Sequence, residues 1–464
     1  MSASLNAILN VAKTGLLSQQ FALQVTSHNL ANATTEGYSR QRVELVPRTP
    51  LRLPEGLLGT GVRVADITRA RNVLLDGIYR REASLFNGFE TEHGALQSVE
   101  SVFGEPGTAG LGSTLDAFWN AWSDLANDPI SSAARTVLAS RGQQLVDHFR
   151  RIDASLDQVT SEVAGSLDAS VEVVNGILRD LADLNSEVAA ARATGISAPD
   201  LGDRRDMLLD ELATLVPVDV TLRDNGGVGV AINGISVVEG ISSKTLSLSS
   251  GPGGWTLGTN TGVTIDATSG RIGGALTVLN DDFSDFRAQL DSLAQGLVER
   301  VNAIHTTGTN PLGATGVNFF DDFGDPSTVT AATITLDAAL LGDSQAIAAG
   351  TPDGGGNYQA GANDVALLLA GLRDTAGGGV LGARTINEAQ RDLVAEVGLA
   401  SAAARESAES HSVLLASARE RRESVSGVAT DEELVKVVQI QAAFAAASRL
   451  VSVVDEMYQT LLAI

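Results

Sequence analysis

Residues 27–45 read SHNLANATTEGYSRQRVEL. An apolar heptad runs into this stretch and an alternating pattern runs out of it, so a helix ends here and a strand begins. Upstream, Leu9, Leu16, Leu23 and Leu30 fall seven residues apart, with Leu5, Ala12, Gln19 and Thr26 at the companion positions. That spacing predicts an amphipathic helix with a narrow stripe. Asn29 and Asn32 sit at its end, where Asn tolerates the left-handed cap conformation, and Glu36-Gly37 offers a turn. Val43 and Leu45 then alternate with charged neighbours, as in a half-buried strand. Pro47, Pro50 and Pro54 keep the following segment out of a helix.

The far end of the chain answers the near one. Thr430-Asp431-Glu432-Glu433 reads as a capping box with acids on the positive end of the helix dipole. Behind it, Val437, Ile440, Phe444, Ala447, Val451, Val454, Tyr458 and Leu461 alternate in steps of three and four. The helix they predict runs almost to Ile464, roughly 45–50 Å. Residues 1–30 hold Lys13, His28 and no acid, a poor composition for a helix alone in water. Isolated helices are marginal without packing. The two ends are therefore expected to pair, and the pair to pack against further copies of the chain.

Between the ends helices dominate. Asp128-Pro129 reads as an N-cap followed by Pro at the first helical position, opening a helical period that continues to Val188. Pro199 opens another helix, which Pro217 ends, and residues 275–303 look helical. Thr385-Ile386-Asn387-Glu388 is a further capping box. One interior block changes period: Val228, Val230 and Ile232 lead into Asn233-Gly234 and then Ile235 and Val237, a strong hairpin signal. Residues 305–384 are Gly-rich and irregular, with a strand suggested at Ala332 to Leu336. The expected fold is mainly α with an inserted β domain, in a nested arrangement. Terminal helices (1–46 with 425–464) pair like a coiled coil, a long-helix body follows (47–216 with 273–424), and a small β domain (217–272) is inserted into it.

Composition narrows the function. The net charge of −24 argues against nucleic acid and against anionic membrane surfaces. Cysteine is absent, so no disulfide or thiolate metal site is expected. The start lacks a basic region, so no cleaved secretory signal is expected, and the absence of a run of 18 or more apolar residues argues against a transmembrane helix. The five histidines form no His-x-x-x-His pair, and there is no Gly-x-Ser-x-Gly elbow. Residues 377–382 fit G-x-G-x-x-G formally, but the preceding segment looks helical where a nucleotide site needs a strand. Asp321, Asp322 and Asp325 lack the EF-hand spacing. No catalytic residue, cofactor or metal ligand is expected.

SHNLANATTEGYSRQ (27–41) resembles the N-terminal signature of the flagellar rod, hook and hook-associated axial proteins, and the ending from Ser426 resembles their C-terminal helix. Phe444 departs from that pattern, which more often has Tyr there. FGEPGTAGLGSTLDAFWNAWSDLANDP (103–129), DLGDRRDMLLDELATLVPVDV (200–220), SGRIGGAL (269–276) and GANDVALLLAGL (361–372) are similar to the hook-associated members that join hook to filament. The resemblance implies a non-enzymatic subunit that assembles as a ring, with terminal helices forming an inner tube and the β domain facing outward. It implies as partners further copies of itself, the hook protein, the next hook-associated protein on the filament side and an export chaperone. It also implies export to the extracellular flagellum through the flagellar type III apparatus. The assembly interface is expected at Leu9, Leu16, Leu23, Leu30, Asn29, Asn32, Gly37, Val437, Ile440, Phe444, Val451, Val454, Tyr458 and Leu461. Another axial subunit (hook, rod or flagellin-like) and an adhesin-type surface module are the alternative readings.

Overall fold

The computed structural model describes residues 2–53, 56–104, 110–195 and 197–462. Helix α1 (Ser2–Ala31) opens the chain, and strands β1 (Gln41–Pro47), β2 (Leu51–Leu53), β3 (Gly56–Leu58) and β4 (Val62–Arg69) follow. β1 pairs antiparallel with β4, with a bulge between Glu44 and Leu45, and β2 pairs with β3 at the far end of the same excursion. The prolines exclude helix here as expected, though Pro54 lies outside the described residues. The excursion is β where the sequence reading placed helix-rich body from residue 47. Its signal was the alternation of Val62, Val64, Ile67 and Arg69, diluted by bulge and turn residues.

The body is built from α2 (Val73–Phe103), α3 (Leu111–Asn127), α4 (Ser132–Ala193) and α5 (Pro199–Leu215). Asn72 caps α2 by accepting from Leu74 N. α4 runs for 62 residues, roughly 93 Å. Its cap is Ser131, whose hydroxyl accepts from Ala134 N, and not Asp128, which closes α3. The intervening residues form a turn, so the Asp-Pro pair ends one helix without starting the next. Pro199 opens α5 as expected.

Strands β5 (Asp219–Leu222), β6 (Val228–Ile232), β7 (Ile235–Glu239) and β8 (Ser242–Ser243) form one antiparallel sheet. β9 (Leu246–Gly251), β10 (Gly254–Thr259) and β11 (Thr264–Ile265) form a second. Asn233 and Gly234 both take positive φ, 44° and 80°, as the tight β6–β7 turn requires. Two asparagines of α4 dock these sheets. Asn175 exchanges both amide bonds with the Leu246 backbone, at 2.9 and 2.7 Å. Asn185 does the same with Val228 and also donates to Gly240 O.

The chain returns through α6 (Gly270–Thr277), a π turn over Val278–Asp282, and α7 (Phe283–His305). In the Gly-rich region, residues 332–336 form no strand; Phe320 and Leu336 make a single bridge. Core contacts order this loop instead. Phe319 and Phe320 pack on Phe118, and Phe319 packs on Trp122. Helices α8 (Ala338–Gly342) and α9 (Asp364–Gly371) punctuate it. His305 is fully buried, with Nδ1 donating to Val317 O and Nε2 accepting from Ala348 N. Burial lowers its pKa to about 4, so the ring is neutral. Helix α10 (Ile386–Ser426) begins with the complete Thr385/Glu388 capping box and packs along α2. α11 (Thr430–Leu462) ends the described chain and packs on α1. The observed architecture is thus mainly α, with terminal helices paired and β sheets inserted.

Candidate assembly site

α1 and α11 run antiparallel. At one end Tyr458 Oη donates to Asn6 Oδ1 at 2.8 Å, and at the other Asn29 Nδ2 donates to Glu433 Oε2 at 3.0 Å. The two cross-links lie roughly 35 Å apart. Between them, Ala12, Val25 and Thr26 of α1 are buried, and Leu9, Leu16 and Leu23 are half-buried. On α11, Val454 is buried, and Val437, Ile440, Val451 and Tyr458 are half-buried. Two predicted members leave this seam: Leu30 is 36% exposed and Phe444 44% exposed, with Ala443 half-buried beside it. An α-helix drifts about 20° per heptad against a strict seven-residue repeat. By the fourth leucine the stripe has rotated off the partner, and Val25, Thr26 and Asn29 take over. The side chain of Leu461 lies outside the described residues.

The outward face of the pair is also apolar. Ile8, Val11, Leu17 and Phe21 of α1 stand exposed, as do Leu434, Val438, Leu450, Val453 and Met457 of α11. A stretch within Ile386–Thr460 is long and apolar enough by length and composition alone to cross a membrane, though polar residues interrupt it, and only 6% of it is buried. The apolar surface therefore exceeds what one antiparallel partner covers.

The root of the pair is polar and tightly bonded. Asn29 does not cap α1. It is buried inside the last turn, where Nδ2 also donates to Gln41 O at 2.9 Å, and Oδ1 accepts from Gln41 N at 2.9 Å and Tyr38 Oη at 2.7 Å. Glu433 is fully buried, and its side chain does not close the expected capping box. It takes the Asn29 amide, Lys436 Nζ at 2.5 Å and, at 3.6 Å, Arg40 Nε. Fully buried, this carboxylate takes its partners from across the interface and from its own first turn. Asn32 lies just beyond α1, donating to His28 O without positive φ. Gly37 does take positive φ, +76°, and a Cβ there would overlap the Met207 side chain.

Below the root lies an ion-pair network centred on α5. Asp203, Asp206 and Asp210, at i, i+3 and i+7, share one helix face. Arg69 Nη1 bridges Asp203 and Asp206 at 2.9 and 2.6 Å. Asp210 accepts from Arg80 at 2.7 Å and Arg422 at 2.5 Å, and Arg422 also stacks 3.7 Å over the Tyr79 ring. Ser39 N donates to Asp203, and Gln41 Nε2 to Asp200. Burial works to raise the pKa of Asp206, but Arg71, Arg69, Arg205 and Arg80 hold it below the ordinary carboxylate range. Burial, with Asp200, Asp203 and Glu433, pushes the Tyr38 phenol up, so it stays a donor. The network joins α2, α5, α10 and the β1–β4 ribbon to the base of the terminal pair. The spacing of the three aspartates was visible in the sequence, but their arginine partners lie on three other elements.

These groups are mutually paired. Among the described residues, no group of three or more His, Asp or Glu side chains is suited to a metal ion. The glycine stretch 377–382 turns carbonyls inward: Arg300 takes Gly377 O, Gly378 O and Gly382 O. Asp321, Asp322 and Asp325 each cap a backbone N–H two residues on.

Comparison with known proteins places this geometry in a context. A family model described as flagellar hook-associated protein FlgK helical domain matches residues 96–320. Models of the flagella basal body rod protein and of the flagellar basal body rod FlgEFG protein C-terminal match residues 9–38 and 422–464. Flagellar hook-associated protein 1 of Bacillus subtilis (strain 168) is 29% identical, over 97% of this chain and 96% of that protein. The protein of that name from Salmonella typhimurium is 27% identical, over 69% of this chain and 60% of its own length. The solved flagellar hook junction protein FlgK from Burkholderia pseudomallei superposes with a TM-score of 0.65 at 16% identity, covering 75% of this chain and all of that one.

Proposed function

Because this chain belongs to the flagellar hook-associated protein family, we propose that it is the structural subunit that joins hook to filament in the bacterial flagellum, assembling through α1 and α11. The observation that carries the reading is the terminal pair. It is welded at its root to the body and apolar on its outer side, so it is complete only when further subunits cover it. Residues 1–46 with 425–464 are the inner-tube part of the subunit, 70–216 with 273–424 the body, and 217–272 the outward-facing insertion, with the β1–β4 ribbon between tube part and body. Copies of the chain form a ring, bounded by the hook protein on one side and the next hook-associated protein on the other. An export chaperone holds the terminal segments before assembly, and the chain leaves the cell through the flagellar export apparatus. The interface comprises the seam residues together with Leu30 and Phe444, whose exposure leaves them free for neighbours.

Deleting the gene and inspecting the cells tests the proposal. Cells that keep hooks but shed filament protein into the medium support it. Cells with bare basal bodies, or with attached filaments, sink it.

A further inference from the structure

The β1–β4 ribbon carries a feature that the subunit's own fold does not use. It starts beside Asn29, where Gln41 is bonded, and runs back along α1. Gly61 presses its backbone against Val11 and Thr14, leaving no room for a Cβ. Beyond that contact the β2–β3 tip projects with Leu51, Leu57 and Leu58 at 51, 71 and 42% exposure. Leu51 and Leu58 are directly paired, and Leu57 faces Arg52. A lone two-stranded hairpin is marginal in water, and one with uncovered leucines calls for a partner. The ribbon is also basic. Residues 42–69 hold Arg42, Arg48, Arg52, Arg63 and Arg69 against Glu44, Glu55 and Asp66, within a chain of net charge −24. Arg48, Arg52 and Arg63 are exposed and make no ion pair among the described residues.

We infer that this tip docks on a second copy of the chain, on the outer face of its α11. That face offers Leu450, Val453 and Met457 at i, i+3 and i+7, with Glu456 alongside, all exposed. Apolar side chains thus meet apolar side chains, and unpaired arginines meet the surface of an acidic molecule. The contact is heterologous, tip to helix, and so propagates around a ring. This inference rests on the assembly reading above and adds the surface by which one subunit grips the next.

The test replaces Leu57 in the full chain with a photoreactive phenylalanine analogue, expresses it in the deletion strain, and irradiates isolated flagella. The expected result is an adduct of twice the 47.9 kDa chain mass, whose cross-linked peptide maps to α11. The same probe at Leu399, which is 72% exposed on α10, gives no α11 adduct. Adding Arg48→Glu and Arg52→Glu lowers the adduct yield about tenfold, while the purified variant keeps its melting temperature because both side chains are exposed. An adduct to a different protein, a self-adduct mapping elsewhere, or no adduct overturns the inference. If the unmodified chain is missing from isolated flagella, the hook–filament reading itself falls. If it is present and the Leu57 adduct fails, only the tip contact falls.

Discussion

Asn29→Ala strikes the root of the terminal pair. The variant removes four hydrogen bonds at once: two exchanged with the Gln41 backbone, one accepted from Tyr38 and one donated to Glu433. Asn29 and Gln41 are buried, so the Gln41 N–H and C=O are left without partners at about 1–3 kcal/mol each. Glu433 keeps Lys436 and Arg40 but loses its contact with α1. Water entering the space of the missing amide recovers part of this, which leaves a net cost of about 3 kcal/mol. The cost falls on local opening of the root, because the body core holds no atom of Asn29. Hydrogen exchange of amides 25–31 and 433–440 is the assay. An opening penalty of that size accelerates exchange about 100-fold, at about 1.4 kcal/mol per factor of ten. The buried helices α4 and α7 should be unchanged. Asn32→Ala is the control; its side chain donates to His28 O and accepts from Thr35 Oγ1 at an exposed helix end, where water replaces both, and the expected cost is about 0.5 kcal/mol. Acceleration below about threefold for Asn29→Ala, or equal effects at the two positions, refutes the account of the root.

Gly37→Val places a β-branched residue at φ +76° against Met207, at a cost of about 1–2 kcal/mol, and should impair filament attachment while the body melts normally by circular dichroism. His305 is neutral in the fold with a pKa of about 4 against 6.5 unfolded, so its contribution is intact above 6.5 and lost as pH falls towards 4. That amounts to about 3 kcal/mol; His305→Gln should be less stable at pH 7 and show a flatter urea-midpoint profile between pH 7 and 4. Glu92 runs the opposite way: burial, with Asp282, raises its pKa to about 7, so its contribution is full below about 4.5 and lost as pH rises through 7. Glu92→Gln should therefore gain about 1–2 kcal/mol at pH 8, after allowance for partial solvent screening, and almost nothing at pH 4, read from thermal midpoints. Asp210→Asn weakens the ion pairs to both Arg80 and Arg422 and should cost about 1–3 kcal/mol, lowering the melting temperature of the body.

The elements that could be read in advance are those whose signal is local. The first three leucines of the heptad, the Asn233-Gly234 turn, Pro199 at the head of α5 and the Thr385 capping box each depend on local spacing, and each is where the sequence pointed. The apolar stripes at both ends, and the near absence of charge in residues 1–30, were enough to expect that the chain ends pair. The errors share a cause as well. Asp128-Pro129 and Thr430–Glu433 fit local cap patterns, yet Ser131 caps α4 and Glu433 turns across to Asn29, 404 residues away. Leu30 and Phe444 satisfy a seven-residue count but not a helix of 3.6 residues per turn packed on one partner.

Asparagine makes the division plain. Asn29, Asn175, Asn185 and Asn280 each exchange both amide bonds with the backbone of a distant residue, joining elements much as a further strand pair would. In the linear chain they look like any other polar residue on a helix or at its end. An apolar stripe is a property of spacing, so the order of residues suffices to reveal it. The partner of a buried amide or carboxylate depends on which backbone arrives beside it once water has been excluded, and only the packed chain settles that.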